Sequence, residues 1–437
     1  VLVAVLVASR FVPAARAHFP SDLPPLFAAW RPRVTPWTLL ALLLAVGFVV
    51  GAPGLLRVRL AAFLAALVAF VIAMSVALAI SDGNPRTLTH RNEAGGIAAV
   101  LTAPIDRPTD YLSDVRVVRL YGPVGFAQNY PWLSRSTRAR MSLRARTHPP
   151  GAVLTAWVLD GAAHDDRLRI ALMIVAIGGL GVLPTYALAR AVRHDERTAR
   201  LAAVLFAACP IVLLYSATAF DAVFMTVAAC AIALLAWAPR SVAASVAGGA
   251  LAAGAITLSY GLLSLGLVAA GFFVLALARE RSARLVGRAG ACLAAFVVAS
   301  VLLHRYAGID LLASFRTASR VQHEVEAFRD RPWWYWTLGG DVFAFLIGAG
   351  LGLSSLLVVR TWDAWRSRRF GIETLLWAAM IASAAAGALR GETEHLWMYF
   401  VPMLAVAAAP AVVRLRDEAA FGLGQAGIMQ TLFWTNW

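Results

Sequence analysis

Lysine is absent from this chain; all 39 of its Lys-plus-Arg positions are arginine. Charged residues of both signs make up only 14% of the 437 residues, against 60% hydrophobic, with a mean hydropathy of +0.71. That balance excludes a water-soluble domain, which could not hide so much apolar surface, and makes lipid the solvent. Cysteine is scarce too. Cys209, Cys230 and Cys292 all fall inside apolar windows, where they pack as small hydrophobes, so no disulfide framework or metal motif is readable. No internal repeat and no low-complexity linker is visible, which argues for one membrane domain over an inverted-repeat transporter. The formal charge of +15 does not point to nucleic acid, because no basic helix or aromatic-interleaved patch stands apart from the apolar segments.

What is present is a series of apolar windows bounded by Arg, Pro and Gly. A spanning helix needs roughly 20 mostly apolar residues to cross about 30 Å of hydrocarbon. Such windows lie near 36–52, 59–80, 168–189, 199–216, 220–238, 241–257, 260–278, 288–304, 338–359, 371–389 and 396–413. The expected fold is therefore all-α, a polytopic membrane protein of about eleven transmembrane helices. Residues 1–35 read as an N-terminal segment, in which Val1 to Val12 resemble a truncated span or a signal-like stretch. Residues 36–413 form the transmembrane domain and 414–437 a cytoplasmic tail.

Arginine in short connections sets the orientation. Arg190, Arg193, Arg197 and Arg200, then Arg279, Arg281, Arg284 and Arg288, then Arg360, Arg366, Arg368 and Arg369 are placed in the cytoplasm. Alternation puts a large loop, 81–167, and an interfacial segment, 305–336, on the outer face. The localisation that follows is the plasma (inner) membrane, multi-pass, with its polar site facing the periplasm or cell exterior. In the interfacial segment, Leu311, Phe315, Ala318, Val321, Val325 and Phe328 recur every three or four residues. This predicts an amphipathic helix in the interface, followed by the aromatic anchor Trp333, Trp334 and Trp336.

Polar residues gather on that outer face from distant parts of the chain. The large loop holds Asp106, Asp110, Tyr111 and Asp114, then Thr147, His148, Pro149 and Pro150 leading into the apolar stretch Ala152 to Leu159. The stretch is too short to cross a bilayer and suits a short interfacial helix with both prolines in its first turn. Asp221 stands at the outer mouth of a span and Tyr260 in an outer turn. Arg390, Glu392, Glu394 and His395 fill the last outer connection. A carboxylate at a helix centre in lipid costs roughly 2.5 to 3.5 kcal/mol, so such residues are kept for a reason. Asp221 alone would also serve as an N-cap, and His148 as a capping or solvated histidine.

The runs TDYLSDV at 109–115, THPPGAVLTAW at 147–157, FDAVFMTVAACAIALL at 220–235 and GETEHLWMYFVP at 391–402 resemble, in their order, the GT-C superfamily of integral membrane glycosyltransferases. Members similar to the aminoarabinose and protein-mannosyl transferases come nearest. The resemblance implies transfer of a hexose or pentose from a polyprenyl-phosphate donor to a glycan, lipid or protein acceptor on the non-cytoplasmic face, in cell-envelope assembly. It implies catalytic roles for Asp110, with Asp114 in reserve, and for Asp221. It implies substrate contacts from Tyr111, His148, Tyr260, Arg390, Glu392, Glu394 and His395. His395 stands where relatives often carry Arg, so either His395 beside a glutamate or Arg390 would hold the phosphate. A divalent metal between Asp110 and Asp221 is compatible with this chemistry, though no ligand spacing specifies one and the cofactor stays unknown. The competing reading is a secondary transporter or flippase of a lipid-linked or anionic substrate, which predicts helices broken near the bilayer midplane.

Overall fold

The structure, a computed structural model, describes residue 26 and residues 28–81, 101, 110–136, 138–192, 195–217, 219–325, 331–387 and 390–435. The Val1–Val12 stretch, Asp106, Phe328 and Arg329 lie outside the described residues. The described residues form helices and their connections, apart from a short antiparallel pairing of Ala28–Trp30 with Phe433–Thr435. A chain this apolar satisfies its backbone within helices, because hydrocarbon offers the peptide groups no partner.

Among the described residues, six helices are long and apolar enough to cross a membrane: Pro36–Leu55, Leu60–Ser81, Arg167–Ala191, Asp221–Arg240, Tyr260–Glu280 and Ala283–Ala307. A bent pair, Trp333–Ala349 with Leu351–Ser367, would make a seventh. The apolar helices Val242–Ile256, Ile372–Ala385 and Met398–Ala411 are shorter. The protein is thus an all-α polytopic membrane protein.

Two windows expected as straight spans are interrupted. The 338–359 window bends by 118° at Gly350, whose φ of +114° and ψ of 129° lie where only glycine sits without strain. The 199–216 window breaks between Glu196–Ala207 and Pro210–Tyr215, since Pro210 has no N–H to continue the first helix and holds Cys209 extended. The two breaks meet: the Cys209 thiol donates to the Ala349 carbonyl at 3.2 Å.

The helices fall into two compact units. One comprises Val1–Pro85, Ile174–Ala229 and Asp330–Trp437. Within it, Pro36 opens the first span without leaving an orphan N–H, and the Thr35 hydroxyl donates to the Ser81 carbonyl at 2.9 Å, tying the start of that span to the end of the next. The segment expected as a tail is ordered: Leu415–Leu432 is a helix packed on Pro36–Leu55, burying Leu415, Ala419, Leu423, Ala426 and Met429. The other unit comprises Arg86–Met173 and Cys230–Arg329. Its largest helix contact joins Val242–Ile256 to Ala283–Ala307, where Gly249 lets the backbones approach so closely that a Cβ there would stand 2.1 Å from the Cys292 carbonyl oxygen.

The expected amphipathic helix is present as Leu311–Glu324, with Ala318 and Val321 buried as predicted together with Ser314 and Thr317. Its buried face meets protein, packing on Leu143–Thr147 and Pro123–Leu133, so Phe315 is left half exposed and rests edge-on against Tyr260. Of the expected tryptophan anchor, Trp333 and Trp334 are exposed, but Trp336 is buried in protein and is no interfacial anchor.

Candidate functional site

The residues singled out from the sequence divide between the two units, and each unit gathers its own members into a cluster. In the second unit, Asp110 precedes the helical turn Tyr111–Asp114. Its carboxylate accepts from Arg144 Nη1 at 3.2 Å, and its carbonyl accepts from the Ser113 hydroxyl at 2.7 Å. Arg144 lies on the short helix Leu143–Thr147, which ends at His148. The His148 Nδ1 lies 3.0 Å from the Arg144 carbonyl, which can only accept, so Nδ1 carries a proton. The Tyr111 ring meets the His148 ring edge to face, centroids 5.5 Å apart.

The prolines act in different positions from those expected. Pro149 is the extended cap residue and Pro150 the first residue of helix Pro150–Ala162, so only Pro150 occupies the first turn. Tyr130 locks this corner from below. Its buried hydroxyl lies within hydrogen-bond reach of the carbonyls of Ala145, Arg146 and His148, sharing its one proton among them, and burial pushes its pKa well above the usual tyrosine range.

Asp114 is differently placed from Asp110. It is fully buried, and its two oxygens lie 3.1 and 3.2 Å from the Ser142 backbone N–H at the start of helix Leu143–Thr147. Burial raises its pKa, against the lowering pull of the Ser142 hydrogen bonds and of Arg116. That geometry makes Asp114 a brace for the Arg144-bearing helix. Tyr260 is packed against Phe315, with its hydroxyl buried and without a hydrogen-bond partner among the described residues.

In the first unit, Asp221 opens the helix Asp221–Trp237 and its Oδ2 lies 3.3 Å from His395 Nδ1. The other ring nitrogen of His395 is 4.0 Å from Glu392 Oε2, and Tyr215 lies against the same ring with centroids 5.4 Å apart. His395 is thus flanked by two carboxylates in a setting where its side chain is 2% exposed. Glu394 is buried beside Gly348, where a Cβ would come within 2.9 Å of the Glu394 Cβ.

Two members of this cluster were not read from the sequence. Arg331 donates from Nη2 to Glu392 Oε1 at 2.5 Å and from Nη1 to the Arg390 carbonyl at 2.5 Å. Asp341, fully buried, accepts from the Gly391 N–H at 2.7 Å, while its own carbonyl accepts from the Thr393 hydroxyl at 2.6 Å. Its second carboxylate oxygen is buried without a hydrogen-bond partner among the described residues. Asp341 and Arg331 together hold a contorted loop, since Gly391 and Glu392 both have positive φ, 86° and 65°. Arg331 falls in the interfacial segment 305–336 and Asp341 in the 338–359 window, and neither belongs to the motif runs. The legible signal for Asp341 was a carboxylate within an apolar window, beside Gly339 and Gly340.

Chemically, the first-unit cluster offers a cation that can meet an anionic group (Arg331, Arg390) and a histidine between carboxylates. The second-unit cluster offers a carboxylate paired with Arg144 and an imidazole packed against Tyr111. No group of three or more His, Cys, Asp or Glu among the described residues is arranged to hold a metal ion. Compared with known proteins, the chain matches no family model and no curated protein.

Proposed function

We propose that this protein is a membrane glycosyltransferase that moves a sugar from a polyprenyl-phosphate donor to an acceptor hydroxyl on the non-cytoplasmic face. The observation that supports the reading is the concentration of ionisable side chains: in a chain with so few charged residues, Asp110, Asp114, Asp341, Glu394 and His395 are nonetheless buried. Burying charge is expensive unless the groups are paired and used. The order of the four motif runs, resembling the GT-C superfamily, adds to it. The finer topology of eleven spans belongs to the same proposal, and requires the shorter apolar helices and the broken ones to cross as well.

In the reaction, the acceptor oxygen attacks the anomeric carbon, forming the new C–O bond as the bond from that carbon to the phosphate oxygen breaks. The electron pair leaves on polyprenyl phosphate, and the acceptor proton passes to a carboxylate. Asp110 is assigned as that base. In the other cluster, Arg331 and Arg390 are the cations whose planar guanidinium groups would suit a phosphate. Asp221 and Glu392 orient His395.

Membranes containing the chain, incubated with radiolabelled polyprenyl-phosphate sugars, are expected to pass label to a lipid or glycan fraction; intact donor after long incubation across a panel of sugars contradicts the reading. One observation favours a second reading, a transporter or flippase: the apolar helix pair broken at Gly350, of the kind that carries binding sites in transporters. In proteoliposomes that reading predicts movement of the intact lipid-linked sugar between leaflets without bond cleavage.

A further inference from the structure

The helix Ala283–Ala307 has little of its length buried in protein: Leu293, Val297, Val298, Val301 and Leu302 are exposed, as lipid contact requires. At its end the surface changes character. His304, Arg305 and Tyr306 are all exposed, Tyr306 at 77%, before Gly308 turns the chain with a φ of +74°. A Cβ at Gly308 would stand 2.8 Å from the Val124 carbonyl oxygen, so the turn is seated against helix Pro123–Leu133 and the exit angle is set.

The next helix, Leu311–Glu324, starts from Asp310, whose carboxylate is used as its cap, accepting from the Ala313 N–H at 2.8 Å. Its outer face carries Leu312, 57% exposed, then Arg316 and Arg320, successive at four-residue spacing and therefore on one stripe. Exposed His323 and Glu324 close the helix, His323 bonded to the Ser319 carbonyl through Nδ1. Among the described residues, Arg305, Arg316 and Arg320 take part in no ion pair. The surface passes from apolar side chains to arginines, with an aromatic among them and no ion pair to a described carboxylate, the profile of a segment crossing from acyl chains into head groups.

We infer that Arg305, Arg316 and Arg320 form a docking surface for the phosphate of anionic glycerophospholipid head groups, with Tyr306 and Leu312 inserted among the acyl chains. The inference is independent of the proposed transferase activity. Planar guanidinium groups match phosphate oxygens, and the two exposed apolar side chains favour a phosphate borne on a lipid over a free one. A basic residue beside an anionic membrane surface is worth about fivefold in local affinity at low salt, so three together predict a preference for anionic over zwitterionic lipid on the order of a hundredfold.

The experiment is native mass spectrometry of the delipidated full-length chain, titrated with phosphatidylglycerol or phosphatidylcholine. The wild type is expected to retain phosphatidylglycerol adducts that fade as salt is raised, and the triple variant R305Q/R316Q/R320Q to lose them while binding phosphatidylcholine as before. The triple lysine variant, keeping the charge, should retain most of the preference. If the triple glutamine variant does not fold, as judged by helical circular dichroism, the three single variants serve instead, each expected to weaken phosphatidylglycerol binding about fivefold. Undiminished phosphatidylglycerol binding in the glutamine variants overturns the inference. So does equal displacement by inorganic phosphate, or binding confined to polyprenyl phosphate.

Discussion

Gly151→Ala is expected to destabilise the second unit. Gly151 is the second residue of helix Pro150–Ala162, and a Cβ there would lie 2.3 Å from the Thr257 carbonyl oxygen, 2.5 Å from its Oγ1 and 2.8 Å from its carbonyl carbon. Ordinary contact begins about 1 Å further out, and two of the three obstacles are backbone, so no rotamer change relieves the clash. The helix must shift away from Thr257 and take with it the Pro149–His148 corner that Tyr130 holds. Overpacking of this kind costs about 1–3 kcal/mol. The control is in the same helix: Gly161 has nothing within 4 Å, so Gly161→Ala should fall within about 1 kcal/mol of wild type, on the stabilising side. Thermal unfolding of the purified protein in detergent, followed by circular dichroism, should order the melting temperatures as Gly161→Ala at or above wild type and Gly151→Ala several degrees below. Adding Thr257→Ala should not rescue Gly151→Ala, because the carbonyl stays. Equal melting of the two glycine variants would refute the close approach.

The other predictions concern the two clusters. Arg331→Gln leaves Glu392 in a mostly buried position without its guanidinium partner and should cost about 3 kcal/mol; adding Glu392→Gln should recover part of the loss, as a double-mutant cycle of melting temperatures would show. Asp341→Ala orphans the Gly391 N–H at a cost of about 1–3 kcal/mol, whereas Asp341→Asn keeps an acceptor and should be milder; equal losses would remove the Gly391 contact from the account. The pKa of Asp114 is raised by burial, so its contribution to stability is fully present below the usual aspartate pKa and is lost as pH rises through the higher folded value. Asp114→Asn, which is neutral and still accepts from Ser142, should therefore gain on the wild type as the pH of the melt is raised from acid to neutral; a difference independent of pH contradicts this.

Much of the fold was legible because lipid imposes a simple demand. Leu60–Ser81 and Ala283–Ala307 appear as long apolar windows, and no local feature competes with that signal. The breaks were harder. Gly350 sits among small and apolar residues, GAGLGL, that read equally well as a tight helix-packing stripe, and only its backbone angles reveal the bend. Pro210 did carry a local signal, the missing N–H, but an apolar run on both sides masks it. The amphipathic helix was found by its period, yet period alone does not say whether the apolar stripe meets lipid or protein, and Ser314 and Thr317 show that it meets protein.

The candidate residues show the same division. Asp110, Tyr111 and His148 are drawn together across nearly forty positions, and His395 reaches Asp221, as expected of polar groups that avoid hydrocarbon. What the sequence did not disclose is which carboxylate braces and which is available. Asp110 and Asp114 lie in the same short motif, but one faces an arginine side chain and the other a backbone N–H at a helix start. The partners Arg144 and Ser142 lie some thirty residues away, on a five-residue helix and at its N-cap, without a periodic pattern to announce it.

That distinction gives the most direct test of the proposed chemistry. Initial rates of sugar transfer from labelled polyprenyl-phosphate donors should be compared in membranes carrying equal amounts of wild type, Asp110→Asn and Asp114→Asn. Loss of a general base predicts a fall of roughly 10²–10⁴-fold for Asp110→Asn, with Asp114→Asn staying near the wild-type rate. Full transfer by Asp110→Asn, or a collapse confined to Asp114→Asn, would contradict the account.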